Sequence, residues 1–376
     1  MKKNYISALA VLACVAVFCT ISGNSFHQMR TATEEIIPGE GVTEVRMLSD
    51  YFPDLAGTAG DTQIYVLQGE QEGGSCLILG GTHANELGGH MGAVLFVENA
   101  KVEAGPLYVI PRTNNSAFTH NDPQEGHPST VHITTDEGNV REFIHGSRAT
   151  NPVDQWPDPD VYVNYMGQSL SGSENRNINR TYPGKADGTL TEMMSYGIVQ
   201  LINTENIDVT VDLHEASPEY PVINALIAHE RAMNLASNVV VDMQMEGVQI
   251  SLEPSPTDLR GLTHRELGDH TDTLALLMEA PNPAQGRLRD RTDEALVLTG
   301  KSETYVKAGE IGQLYVPYDE NGWPIEVRCA RHVFGIERIL ANYSEMYEEP
   351  IIVTGMPSYD ELVKNGMGPY LNEPTT

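Results

Sequence analysis

Four short segments hold residue types able to do chemistry. In the first, the apolar run Leu77–Leu79 leads into Gly80, Gly81 and Thr82, and His83 and Glu86 then stand three residues apart at a helix start. That spacing turns both side chains toward one point, which suits two ligands of one metal, although a solvated pair has the same spacing. In the second, the apolar strand from Val209 ends in Asp212, Leu213, His214 and Glu215. His214 would supply a third ligand, and three protein ligands leave the fourth zinc position open, as catalytic sites do. Asp212 reads either as the group that orients an imidazole or as a strand-end turn carboxylate. Glu215 reads as a solvated neighbour. The third segment, Asn177 to Gly184, places Asn179 and Arg180 before Tyr182-Pro183-Gly184. A guanidinium on a rigid loop can grip a carboxylate with two parallel hydrogen bonds, or simply form a surface ion pair. The fourth ends the apolar run from Thr273 in Glu279, Ala280 and Pro281. A carboxylate at the end of a buried strand needs a partner or a raised pKa, and both suit a general base.

Alternating elements must position these residues. Strands are expected at Gln63–Leu67, Cys76–Leu79, Leu107–Ile110, Val209–Leu213, Val222–Ala228, Val248–Leu252 and Thr273–Met278. Helices are expected at Glu86–Val97, where Gly88, Gly89 and Gly92 weaken the propensity, at Thr191–Asn203 with Thr191 as its cap, at Glu230–Met245 and near Ala330–Asn342. Strands interleaved with helices imply an α/β fold, a single domain with a mixed, mostly parallel twisted sheet flanked by helices. Residues 113–190 break the rhythm with much Asn, Asp, Pro, Gly and Ser, and read as a long loop region over the functional edge of the sheet. Residues 26–60 read as a leader, 61–366 as the catalytic domain and 367–376 as a fraying tail.

In this order the four segments resemble the zinc metallocarboxypeptidase superfamily, and within it the succinylglutamate desuccinylase/aspartoacylase-like branch, from about residue 75 to 285. The resemblance implies one Zn2+ ion held by His83, Glu86 and His214, a substrate carboxylate held by Asn179 and Arg180, and Glu279 as general base and acid. The family also steadies the polarised carbonyl with an arginine. Arg148, after Gly146 and Ser147, matches that context but precedes Asn179 by 31 residues, so an insertion carrying Trp156–Asp160 is inferred, with Arg176 and Arg112 as rivals. The family's substrate-covering tyrosine has no clear match. The implied activity is hydrolysis of an amide next to a carboxylate-bearing residue, as a carboxypeptidase or a deacylase of small amide or peptide substrates. A catalytically inactive peptide- or carbohydrate-binding domain on the same fold is the alternative.

Other sequence features bound that reading. No His-Glu-x-x-His, Gly-x-Ser-x-Gly or P-loop occurs. His264 and His270 flank a Gly-Asp turn and read as surface residues. The 376 residues are 40% apolar and 20% charged with 34 Gly and 22 Pro, a loop-rich globular composition that excludes a coiled coil or a collagen-like chain. A net charge of -29 repels phosphate backbones and argues against nucleic acid as a partner. Lys2 and Lys3, an apolar run from Ile6 to Ile21 and the small polar stretch Ser22–Ser25 have the layout of a secretory signal, with an uncleaved anchor as the alternative. Either places the working part outside the cytoplasm and limits membrane contact to this segment. Beyond it stand Cys76 and Cys329, read as buried free thiols ahead of a disulfide.

Overall fold

The computed structural model describes residues 2–121, 127–289 and 291–374. Eight strands form the main sheet: β1 Glu44–Met47, β2 Gln63–Gln68, β3 Cys76–Leu79, β4 Pro106–Ile110, β5 Val209–Ala216, β6 Ala225–Ala228, β7 Ser251–Pro254 and β8 Leu274–Pro281. Their order across the sheet is β1-β2-β4-β3-β5-β8-β6-β7. Pairs β4–β3, β3–β5, β5–β8 and β6–β7 are parallel, and the other three are antiparallel. This is the mixed, mostly parallel sheet expected from the alternation of elements.

The period-2 pattern of the strands divides the core between two faces. Val209, Val211 and Leu213 of β5 and Leu276 and Met278 of β8 pack with helices α2 Leu87–Asn99, α4 Met233–Met245 and α6 Ile325–Tyr347. On the opposite face, Leu77, Leu79 and Ala275 pack with α3 Leu190–Glu205 and α5 Thr263–His270. The polar residues Asp212, His214 and Glu279 alternate with the first set, so they project from the α3/α5 face at the carboxyl ends of β5 and β8. The glycines that weaken α2 have a packing reason. A Cβ on Gly89 would lie 2.3 Å from the Leu213 carbonyl oxygen, and one on Gly88 would lie 2.2 Å from Glu215 Oε1. Only glycine lets the start of α2 press onto the end of β5.

Several expectations are revised. The cap of α3 is Thr189, whose hydroxyl accepts from the Glu192 N–H in a capping box, and Thr191 lies inside the helix. The stretch read as a leader contributes β1, and its Glu34 is buried against His90 of α2. Residues 113–190 are not one loop: they carry the hairpins Thr130–Thr134 with Val140–Ile144 and Val161–Val163 with Ser169–Ser171, joined by 3-10 turns. The tail does not fray through Glu373. Met367 and Leu371 are buried, and the Asn372 N–H donates to Glu98 Oε2 at 2.6 Å. Residues 375–376 lie outside the described residues. Cys76 and Cys329 are buried free thiols.

At the N-terminus, α1 Lys2–Thr31 is one continuous helix, long and apolar enough over Tyr5–Thr31 to cross a membrane. Its last turn meets the body through Arg30 Nη2, 2.8 Å from Asp154 Oδ1.

Candidate metal centre and active-site cleft

The turn after β3, the first residue before α2 and the end of β5 bring His83, Glu86 and His214 together. One ligand atom from each lies within 4.8 Å of the others, and all three side chains are buried. The two oxygens of Glu86 divide between the imidazoles: Oε1 is 2.7 Å from His83 Nδ1, and Oε2 is 2.9 Å from His214 Nδ1. The Glu215 backbone N–H holds Oε2 from the other side at 3.0 Å.

The far nitrogen of each imidazole is tied to an acceptor. His83 Nε2 is 3.0 Å from Asn177 Oδ1, and the Asn177 amide is fixed by donating to Glu174 Oε2 at 2.8 Å. His214 Nε2 is 2.8 Å from Asp212 Oδ2, while Asp212 Oδ1 accepts from the Thr82 hydroxyl at 2.7 Å. A proton on each Nε2 would leave both Nδ1 lone pairs free for a cation held in the cluster. That is the arrangement metal-binding histidines require, with a second polar partner setting tautomer and ring angle. The donor set therefore fits a divalent cation with nitrogen and oxygen ligands.

The electrostatics agree. Burial would strip His214 of its proton, but Asp212 and Glu86 outweigh it and hold its pKa well above the ordinary value. The Glu86 carboxyl would be raised by burial, yet the two imidazoles hold it well below the usual range. His83 is pushed down to about 4 by burial, aided by the Arg148 guanidinium. The field between Asp212 and Glu86 thus favours positive charge.

A cavity of about 560 Å3 opens over the cluster. It is lined by His83, Glu86, His214, Glu279, Arg148, Asn179 and Arg180. Glu279 faces His214 across the parallel β5–β8 ladder. Its Oε2 has no hydrogen-bond partner among the described residues, and burial pushes its carboxyl up to about 8, with His214 pulling the other way. Arg148 Nη1 reaches Glu86 Oε1 at 3.3 Å, and its side chain stays 42% exposed. The two rival arginines are engaged elsewhere. Arg176 chelates Asp158 at 2.7 and 2.9 Å, and Arg112 stacks 4.5 Å over the Phe118 ring.

Asn179 and Arg180 sit on the 3-10 turn Ile178–Arg180. Asn179 Oδ1 accepts from the Thr263 N–H at 2.8 Å and the Thr263 hydroxyl at 3.0 Å, which locks the turn onto the start of α5. The Arg180 guanidinium donates to the Asn179 carbonyl at 2.6 Å and stands 3.7 Å from Glu174.

Sequence reading placed three residues wrongly or missed them. Glu215 is not a solvated neighbour: it is buried and ion-paired with Arg328 at 2.8 Å, 113 residues away in the chain. His264 is not on the surface: it is buried, lines the cavity and bonds the Ser255 hydroxyl at 2.8 Å. Tyr220 also lines the cavity with half its surface exposed, and no local motif marks it. His270, by contrast, is exposed at the end of α5, as the sequence suggested, and stands 3.2 Å from Glu266.

No protein-family model matches the chain, and no match is found among curated proteins. Solved structures do match. One is a succinylglutamate desuccinylase from a Silicibacter species, with 15% identity over 79% of this chain and 63% of that one and a TM-score of 0.44. Another is a metallo-carboxypeptidase from Burkholderia cenocepacia, with 12% identity over 81% of this chain and 65% of that one and a TM-score of 0.45. A third is the cell shape determinant protein Csd4 from Helicobacter pylori, with 13% identity over 80% of this chain and 59% of that one and a TM-score of 0.45. The chain spans less than two thirds of the length of each. These desuccinylase, carboxypeptidase and cell-shape proteins are what the chain is similar to, at identities of 12% to 15%.

Proposed function

We propose that the chain is an exported, zinc-dependent hydrolase that cleaves an amide bond next to a carboxylate-bearing residue, as a deacylase or a carboxypeptidase. One observation carries this reading. His83, Glu86 and His214 offer ligand atoms within 4.8 Å of one another, beside a half-buried Glu279 whose buried Oε2 has no hydrogen-bond partner among the described residues. Two imidazoles and one carboxylate, with no thiol in the set, favour zinc over the harder cations and over thiolate-seeking ions. Zinc held there would act as a Lewis acid on the scissile carbonyl and bring water toward ionisation near neutral pH.

The protein's own groups do the rest. Glu279 takes the proton of the attacking water and passes it to the leaving nitrogen. Arg148 donates to the carbonyl oxygen as it gains charge, an interaction worth about 3–4 kcal/mol where single donors have been removed. Asn179 and Arg180 hold the free carboxylate of the substrate and so fix the amide over the site. Asp212 and Asn177 keep the two imidazoles in their ligating tautomers.

An inactive binding domain on this fold would have no use for a buried carboxylate oxygen such as Glu279 Oε2, which costs stability when no described residue satisfies it. The test is Glu279→Gln in the purified protein, with metal content and turnover measured on a panel of C-terminal peptides and N-acyl amino acids. Zinc is expected to stay at one per chain while turnover drops by about 10²–10⁴-fold. Near-normal rates would remove Glu279 from the mechanism.

A further inference from the structure

Behind His214 and Glu279, the same face of the sheet carries a second row of side chains. Leu277 stands two residues before Glu279 on β8 and so projects from the same face. Its register partner on β6 is Ile227, and the partner of Ile227 on β7 is Glu253. All three line the cavity. Leu277 and Ile227 are buried in one apolar cluster with Val222 packed against it. Glu253 is half-buried, and no described residue gives its carboxylate an ion pair or a hydrogen bond.

Neighbouring strands lie about 4.8 Å apart, so this row runs roughly 10 Å from apolar Leu277 to anionic Glu253. The carboxylate clamp borders it. The Thr263 bonds to Asn179 seat the preceding Leu262, another cavity residue, beside the Asn179–Arg180 turn. Arg287, the remaining cation of the lining, enters from the loop eight residues beyond Glu279 and makes no ion pair with Glu253. A ligand that fills the row must be apolar near its carboxylate end and cationic at its tip. The net charge of -29 draws such a ligand in.

From this row we infer that the carboxylate-bearing residue of the substrate has a basic side chain of the lysine or arginine class, with its alkyl stem on Leu277 and Ile227 and its cation on Glu253. The inference rests on the hydrolase reading of the same cavity. The experiment uses the zinc-loaded full chain in detergent and has two arms. One measures kcat/KM on matched N-acyl and C-terminal peptide substrates ending in Lys, Arg, Leu or Asp. The other measures calorimetric binding of free lysine, leucine and aspartate.

Lys and Arg substrates are expected to exceed Leu and Asp by about tenfold or more. Glu253→Gln should remove that advantage while leaving Leu substrates within about twofold, and Glu253→Lys should turn preference toward Asp. Wild-type preference for Leu or Asp, or an equal loss for Lys and Leu in Glu253→Gln, overturns the inference. If nothing is hydrolysed yet lysine binds more tightly than leucine through Glu253, the hydrolase reading fails and the basic subsite stands. Hydrolysis without basic preference does the reverse, and neither hydrolysis nor lysine preference overturns both.

Discussion

The ion pair between Glu215 and Arg328 lies beneath the cleft and ties three elements together. Arg328 of α6 is fully buried, with Nη1 2.8 Å from Glu215 Oε1 and Nη2 donating to the Val297 carbonyl. Glu215 Oε2 accepts from Asn282 at 2.8 Å. Arg328→Met keeps the bulk and removes the charge, leaving Glu215 buried with only neutral donors. An uncompensated charge of this kind costs about 3–5 kcal/mol. At ~2.1 cal/mol/K of unfolding entropy per residue, a chain of 376 residues has an entropy of about 0.8 kcal/mol/K. The melting temperature should therefore fall by about 4–6 °C. Adding Glu215→Gln removes the stranded charge, and the double variant should return to within about 1–2 kcal/mol of wild type. Differential scanning calorimetry and reversible denaturation by urea measure all four corners of the cycle. Zinc affinity should fall with stability, because the Glu215 N–H is a donor to Glu86. The reasoning is refuted if Arg328→Met melts within about 1 °C of wild type. It is equally refuted if the double variant is no more stable than the single one.

Three further outcomes are expected. His83→Ala should lose both zinc and activity, as should chelator treatment of the wild type, and stoichiometric zinc in the variant by elemental analysis would reject the ligand assignment. Arg180→Ala should lower kcat/KM about 10–100-fold on free-acid substrates and much less on their methyl esters, since a charge-assisted hydrogen bond contributes about 1.5–3 kcal/mol. Equal losses on both would remove the clamp. The Glu34 carboxyl, which burial alone would raise, is held below its ordinary 4.5 by His90, Arg112 and the Ile144 N–H. Its contribution is complete above about 4.5 and is lost as pH falls toward the lower folded value. Glu34→Gln should accordingly be less stable than wild type at neutral pH, with the gap closing as pH drops below that window. A gap that persists unchanged in acid would show that Glu34 does not act through its charge.

Much of the site was legible because its signals are local. A buried strand ending in a polar residue marks a site at a sheet edge, and that signal held for His214 and Glu279. The turn residues after Leu79 marked His83 and Glu86 in the same way. Residues with long-range partners were misread. Glu215 looked solvated because Arg328 stands 113 residues away. His264 looked exposed because only the docking of α5 on the Asn179 turn carries it inside. The glycines of α2 counted against a helix, since the Leu213 carbonyl that Gly89 accommodates and the Glu215 side chain that Gly88 accommodates are not visible from the local sequence.

The sequence by itself determined the alternation of strands and helices, the face each strand buries, and the identity of the groups available for chemistry. These follow from periods of two and 3.6 residues and from side-chain chemistry, which neighbouring residues specify. Tertiary structure alone decided which groups meet. Register across β5, β8, β6 and β7 sets Asp212, Leu277, Ile227 and Glu253 in one row and His214 beside Glu279 in the next. Packing left Arg148 facing the cleft while Arg176 and Arg112 found other partners. The physical reason is that pairing and register depend on backbone hydrogen bonds between segments far apart in the chain, and no short stretch of sequence encodes its partner.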